Sequence, residues 1–314
     1  MITLKLQLDW KPNAQFAGIL LAHYLGQYQR AGINLVIVPG PLPADPLSAL
    51  KAGENVIVCA DDNLIIQARA AGQPVKAIAA MFQYSALGWM ALKESGIHTM
   101  TDLKGKRLGV HKDGEMALDI ALTHFGLSQA EVEIVEFGLN YAEVLRSGQC
   151  DAIQGFIITE PLELEEMGLE LQVFPAYEWS YEAYAQVLVT TERLLATQPD
   201  VLRCFLQITF AGWRRALQNP HEVSRIITTH YLMEARPELE MFILLALRPF
   251  LEGKVGQARL GWMEKSRWER SIDYLVNYGV LDRRLTAEEV MTNALMEAVY
   301  QNEFTVGKGG LTPK

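Results

Sequence analysis

Five short segments of this chain concentrate side chains able to recognise a flat, polar ring. In Trp10-Lys11-Pro12-Asn13-Ala14-Gln15 the indole offers an apolar platform with an N–H donor, and the amides of Asn13 and Gln15 both donate and accept. Trp10 could equally fill a domain edge, and Asn13 could simply cap the helix that follows. Asp61-Asp62-Asn63 joins a strand to a helix, so Asp62 and Asn63 fall at the carboxyl end of a sheet, where ligands of open α/β folds bind. A carboxylate there could accept from an amino group, while N-capping alone accounts for at least one of the two acids. Gln83-Tyr84 ends another strand, and Thr159-Glu160-Pro161 follows a third; Glu160 could bind an amine or merely start a helix. The densest aromatic and acidic run is Tyr177-Glu178-Trp179-Ser180-Tyr181-Glu182-Ala183-Tyr184, from which Trp179 and Tyr181 are expected to face a ligand, with alternation turning other rings inward. Together these side chains suit reversible capture of a heteroaromatic ring, with no catalytic residue, metal or cofactor called for.

Other chemistries find little support. The six histidines have no metal-ligand spacing, and Gly-x-Ser-x-Gly and the phosphate-binding P-loop are absent. His111-Lys112-Asp113-Gly114-Glu115 could offer backbone N–H groups to an anion, but it lacks multiple glycines and its two acids would repel phosphate. Three scattered cysteines make neither a disulfide framework nor a close-set metal motif, and read as buried thiols. A net charge of −9 without basic clusters argues against nucleic acid. No apolar run reaches the ~20 residues of a membrane span. The N-terminus opens directly in a strand pattern with no visible export signal.

The elements that would position these residues alternate regularly at first. Leu4 to Leu8 has period two, Ala14 to Arg30 has helical spacing ending at Gly32, and Ile33 to Val38 is β-branched. Asp45-Pro46 reads as a cap for a helix stopped at Gly53, Asn55 to Ala60 as a buried strand, Asn63 to Ala71 as a helix and Val75 to Met81 as a strand. A second set comprises strands at 106–110, 132–137 and 151–157 with helices at 116–125 and 141–147. Beyond Thr190 the pattern is helical: 199–218, 220–231, 237–251, 263–278 and 286–300. This predicts an α/β fold of two lobes with mostly parallel sheets, helices on both faces and a helical C-terminal region. Lobe I would be 1–84 plus 190–314, and lobe II an insertion at 85–189, with extended crossings at 82–93 and 183–190 and a ligand cleft between the lobes.

The opening run Leu8-Asp9-Trp10-Lys11-Pro12-Asn13-Ala14-Gln15-Phe16-Ala17-Gly18 resembles the signature of the thiamine-pyrimidine family, which includes pyrimidine-binding transport proteins and fungal pyrimidine synthases. The likeness continues through Gly26-Gln27-Tyr28, Gly32 to Leu35, Ala68 to Val75, Ser95-Gly96-Ile97, Asp102 to Gly109 and Gly148 to Ala152, covering about residues 4 to 218. It implies a type II periplasmic-binding-protein fold, an aminopyrimidine ligand held by Trp10 and by aromatics near Trp179, an ABC permease as partner and an extracytoplasmic location. The synthases carry a cofactor-holding lysine and a substrate histidine where this sequence has Ala60 and Leu64, and a cysteine-rich run that is absent here. Without that amine, pyridoxal phosphate has no anchor. The Gln15-Phe16-Ala17-Gly18 form of the motif is similar to members joined to signalling modules, so a ligand-sensing domain with a signalling partner is the second reading.

Overall fold

Two groups of apolar strands build two five-stranded sheets, each with its own core. The computed structural model describes residues 1–40, 46–52, 55–111, 114–138 and 140–306, the side chains of Ala52 and of 302–306 excepted. The chain divides into two compact units, Met1–Gln83 with Ala183 onward, and Tyr84–Glu182.

The first unit contains β1 (Ile2–Gln7), β2 (Ile33–Val38), β3 (Val56–Ala60) and β4 (Val75–Phe82). The second contains β5 (Leu87–Leu92), β6 (Arg107–Gly109), β7 (Glu133–Val135), β8 (Ala152–Phe156) and β9 (Leu171–Pro175). Finally β10 (Ala185–Thr191) returns to the first unit. The sheet orders are β2-β1-β3-β10-β4 and β7-β6-β8-β5-β9. Both sheets are mixed, with four strands of each running one way and a single strand running against them. The strand that carries the chain back, β10, enters between β3 and β4 and pairs antiparallel with both. In the same way β5 lies antiparallel between β8 and β9. Residues 185–189, expected in the inserted lobe, are thus central to the first sheet. Most of residues 87–92 and 185–190 within the expected crossings is ladder strand, with nearly every side chain buried on both faces.

Helices cover the first sheet. Pro199–Gln218 buries Leu202, Phe205, Leu206, Phe210, Trp213 and Leu217, a stripe at three- and four-residue spacing. It crosses the helix Ala17–Tyr24 at two glycines: a Cβ on Gly18 would lie 2.3 Å from Cγ of Trp213, and one on Gly212 would lie 2.2 Å from the Gly18 carbonyl oxygen. Gly18 of the opening motif therefore serves helix packing. The expected helix 14–30 is three pieces: a 3-10 turn at Ala14–Phe16, then Ala17–Tyr24, then Gln27–Arg30 after Gly26 at φ 65°. The expected helices 237–251 and 286–300 are each interrupted as well, giving Pro237–Ala246 with Arg248–Glu252, and Ala287–Val290 with Ala294–Val306. Gly261 and Met291 bridge to Ala80 and Ala77, covering the free edge of β4. The second unit packs Met90, Ile153, Val144, Leu145 and Leu164 into a smaller core. The expected cap at Asp45, the stop at Gly53 and Lys112-Asp113 lie outside the described residues.

Candidate functional site

Since β10 runs against β1, β3 and β4, its first residues meet the carboxyl ends of those strands. That edge of the first unit gathers Asp9 and Trp10 after β1, Asp62 and Asn63 after β3, Gln83 after β4, and Tyr184 and Gln186 around the start of β10. Such an edge is where open α/β sheets hold ligands. Trp10 is partly exposed and its carbonyl accepts from Gly40 N–H at 2.8 Å. A Cβ on Gly40 would come within 2.3 Å of the Asp9 carbonyl carbon, so glycine lets this loop lie close.

Asn13 acts as the cap: its Oδ1 accepts from Gln15 N–H at 3.0 Å. Ala14 N–H donates at 2.6 Å to Oε2 of the buried Glu240. The Gln15 side chain is buried and accepts from Nε2 of Gln186 at 3.4 Å. Gln186 is 2% exposed, sits at φ 51°, and its Oε1 is enclosed without a hydrogen-bond partner, as is Oδ1 of Asp9. Burial raises the Asp9 carboxyl to about 7, although the Gln186 amide and Asp9's own backbone N–H pull it back. Desolvation, helped by the nearby Asp9, holds the Cys59 thiol well above its ordinary range. Asp9 and Gln186 were not among the expected site residues. An acid placed directly after an apolar strand was a usable signal for Asp9, whereas nothing local marks Gln186.

Asp62 is occupied internally. At 1% exposure, its Oδ2 accepts from Tyr184 N–H at 3.0 Å and from the Ser271 hydroxyl at 2.7 Å. Burial raises its carboxyl, and the Ser271 hydroxyl, Tyr184 N–H and Arg267 charge oppose the rise. The Arg267 guanidinium lies 3.9 Å from the Tyr184 ring centroid and donates to the Gln83 carbonyl. The Gln83 side chain donates to the Trp262 carbonyl at 3.0 Å. Asn63, half-buried, accepts from Leu64 N–H at 2.7 Å. Asp62 and Gln83 thus join the C-terminal helix Lys265–Asn277 and its approach to β3, β4 and β10.

In the second unit, Thr159 precedes the helix Glu160–Glu166, and its Oγ1 is enclosed without a partner. Glu160 folds back so that its Oε2 accepts from Phe156 N–H at 3.0 Å, and burial raises its carboxyl to about 7. It borders a cavity of about 250 Å³ shared with Tyr141, Glu143 and Glu163. Trp179 packs on Phe125 and Phe174 at centroid distances of 5.7 and 6.0 Å, and Tyr181 is buried. Tyr181 thus contributes to packing, while Trp179 stays partly exposed. Tyr84 and Tyr177, both half-buried, lie 5.2 Å apart. His111 N–H, in the segment where an anion was disfavoured, donates to Oε1 of Gln154 at 3.0 Å.

The sequence matches the family described as NMT1/THI5 like over residues 13–223, about two thirds of the chain. This chain belongs to the NMT1/THI5-like family. Among its relatives, the riboflavin-binding protein RibY of Chloroflexus aurantiacus is 24% identical over 92% of this chain and 84% of its own length. The formylaminopyrimidine-binding protein of Halalkalibacterium halodurans is 24% identical over 93% and 90%. A 4-amino-5-hydroxymethyl-2-methylpyrimidine phosphate synthase of Legionella pneumophila is likewise 24% identical, over 93% and 91%. This NMT1/THI5-like chain shares its fold with the sulfonate-binding protein SsuA of Methylobacillus flagellatus, at TM-score 0.74 and 14% identity, covering 100% of this chain and 98% of that one. The two-lobed α/β fold expected from the sequence is therefore the fold of this protein. No helix among the described residues is long and apolar enough to cross a membrane.

Proposed function

We propose that this protein is a solute-binding protein that captures a small aminopyrimidine-type heterocycle, without making or breaking bonds, for uptake by an ABC permease outside the cytoplasm. The observation that carries this reading is the Asp9–Trp10 pair at the carboxyl edge of the first sheet. An indole offers a ring platform, and beside it a carboxyl near neutrality is matched to the amino and ring-nitrogen edge of such a heterocycle. The pyrimidine and riboflavin ligands named for two relatives belong to this class of flat, nitrogen-rich ring.

The synthase relative raises the question of pyridoxal phosphate. Ala60, fully buried at the end of β3, and Leu64 on the following helix offer no amine for a Schiff base. Lys76 stands at the opposite edge of the sheet, near the start of β4, with its ammonium donating to the Glu288 and Glu289 carbonyls. These residues do not fit the cofactor, and no step is assigned to it. Use of the same binding chemistry to inform a signalling partner is the remaining alternative.

Calorimetric titration with formylaminopyrimidine, its hydroxymethylpyrimidine analogue, riboflavin and pyridoxal phosphate tests the proposal. Saturable pyrimidine binding, weakened by about 1–3 kcal/mol in Trp10→Ala, is the expected result. Binding of pyridoxal phosphate alone, or of nothing in the panel, would sink it.

A further inference from the structure

The segment that carries Trp10 is fastened at both ends by groups from elsewhere in the first unit. At its start the Trp10 carbonyl accepts from Gly40 N–H at 2.8 Å. At its end stand four consecutive N–H groups, three of which find acceptors inside the segment itself. Asn13 N–H donates to the Lys11 carbonyl at 2.8 Å, Gln15 N–H to Oδ1 of Asn13 at 3.0 Å, and Phe16 N–H to the Asn13 carbonyl at 3.0 Å. The remaining one, Ala14 N–H, donates at 2.6 Å to Oε2 of Glu240, 226 positions further along the chain. Ala14 is fully buried, so water does not replace that acceptor.

A carboxylate is a costly choice at position 240. Glu240 is 3% exposed on the helix Pro237–Ala246, and the other buried residues of that helix, Ile243 and Leu244, are apolar. A leucine at 240 would complete their stripe at three- and four-residue spacing without burying an acid. What the carboxylate adds is a strong, charge-assisted hydrogen bond to a backbone donor that its own segment leaves unsatisfied. We propose that Glu240 is a positioning residue for the ligand site: by holding Ala14 N–H, it fixes the segment Trp10–Asn13 in the conformation that presents the indole platform to a flat nitrogen heterocycle. This rests on the binding function proposed above and deepens it, because a platform already fixed before the ligand arrives spares the binding step the cost of ordering the loop.

The experiment compares two variants in calorimetric titration with hydroxymethylpyrimidine, at a temperature where circular dichroism shows each to be folded. Glu240→Met keeps the length of the side chain and removes the acceptor, whereas Glu240→Gln keeps an acceptor oxygen and removes the charge. Affinity should fall about tenfold in the methionine variant and stay within about threefold of the unmodified protein in the glutamine variant. Unchanged affinity in Glu240→Met, or an equal loss in both variants, would overturn the proposal. Should the methionine variant fail to fold, Glu240→Asp keeps the charge and draws the acceptor back by one carbon–carbon bond; it should lose more affinity than Glu240→Gln, and full affinity there would overturn the proposal as well.

Hydrogen exchange in the ligand-free protein separates this inference from the binding function. The Ala14 amide should exchange slowly in the unmodified protein and in Glu240→Gln, and at least about tenfold faster in Glu240→Met or Glu240→Asp, with the helix Ala17–Tyr24 unaltered. Faster exchange spread evenly through Ala17–Tyr24 would mark a general loss of stability and remove the positioning role. If Ala14 responds as expected but no form binds pyrimidine, the binding function fails and the hold of Glu240 on the segment stands. If pyrimidine binds and Ala14 exchange is the same in every variant, the role of Glu240 fails alone.

Discussion

At the scale of single residues, polar groups at the sheet edge divide into those with internal partners and those left enclosed without one. Asp62 belongs to the first kind. Removing it in Asp62→Ala strands the Tyr184 N–H and the Ser271 hydroxyl and takes away the carboxyl whose charge interacts with Arg267, so a loss of about 3 kcal/mol in urea unfolding is expected. Asp9, through its Oδ1, belongs to the second. Its folded-state carboxyl is raised to about 7, so the native protein holds a proton that the unfolded chain releases near pH 4. Stability from this group is therefore present at acid pH and is lost as pH rises through about 4 to about 7. Glu160, also raised to about 7, contributes in the same direction. Asp9→Asn should flatten part of the fall in melting temperature across that window; an unchanged slope would place the proton elsewhere. Asp62 and Asn63 were recognisable from sequence as acid and amide after a strand. That Asp62 faces inward could not be read, because its partners Tyr184, Ser271 and Arg267 lie more than a hundred residues along the chain.

At the scale of elements, the crossing of Ala17–Tyr24 with Pro199–Gln218 is set by glycine on both sides. With a Cβ on Gly212 2.2 Å from the Gly18 carbonyl, Gly212→Ala has to push the helices apart, at a cost of about 3 kcal/mol, the upper end of the usual overpacking range. Chemical denaturation would measure it; a change within about 0.5 kcal/mol, as at ordinary surface sites, would mean that the helices slide freely. The 3-10 turn Ala14–Phe16 depends on a different contact, the Glu240 carboxylate on Ala14 N–H. Strand and helix positions in the first half were legible because alternation and helical spacing are local signals. Breaks such as Leu25-Gly26 and Met291–Asn293 were not, since a continuous apolar period does not reveal where tertiary contacts interrupt the backbone bonds.

For the whole molecule, two separate cores imply two unfolding events. Urea unfolding followed by tryptophan emission should be biphasic, with Trp213 and Trp268 reporting the first unit and Trp89 the second. Gly212→Ala should displace only the transition of the first unit; displacement of both by the same amount would mean one cooperative block. Ligand at a hundred times its dissociation constant should stabilise the native protein by about 2.7 kcal/mol.

Sequence alone determined the two-lobed α/β class and the aromatic and amide-rich opening segment, because strand alternation, helical spacing and the residues around Trp10 are properties of neighbours along the chain. Tertiary structure decided the rest. The antiparallel entry of β10 between β3 and β4 made the sheets mixed, moved residues 185–189 into the first unit and brought Gln186 into range of Gln15. Strand order depends on which edges pair between segments far apart in the chain, and that competition is settled by packing across the chain, where no local pattern records it.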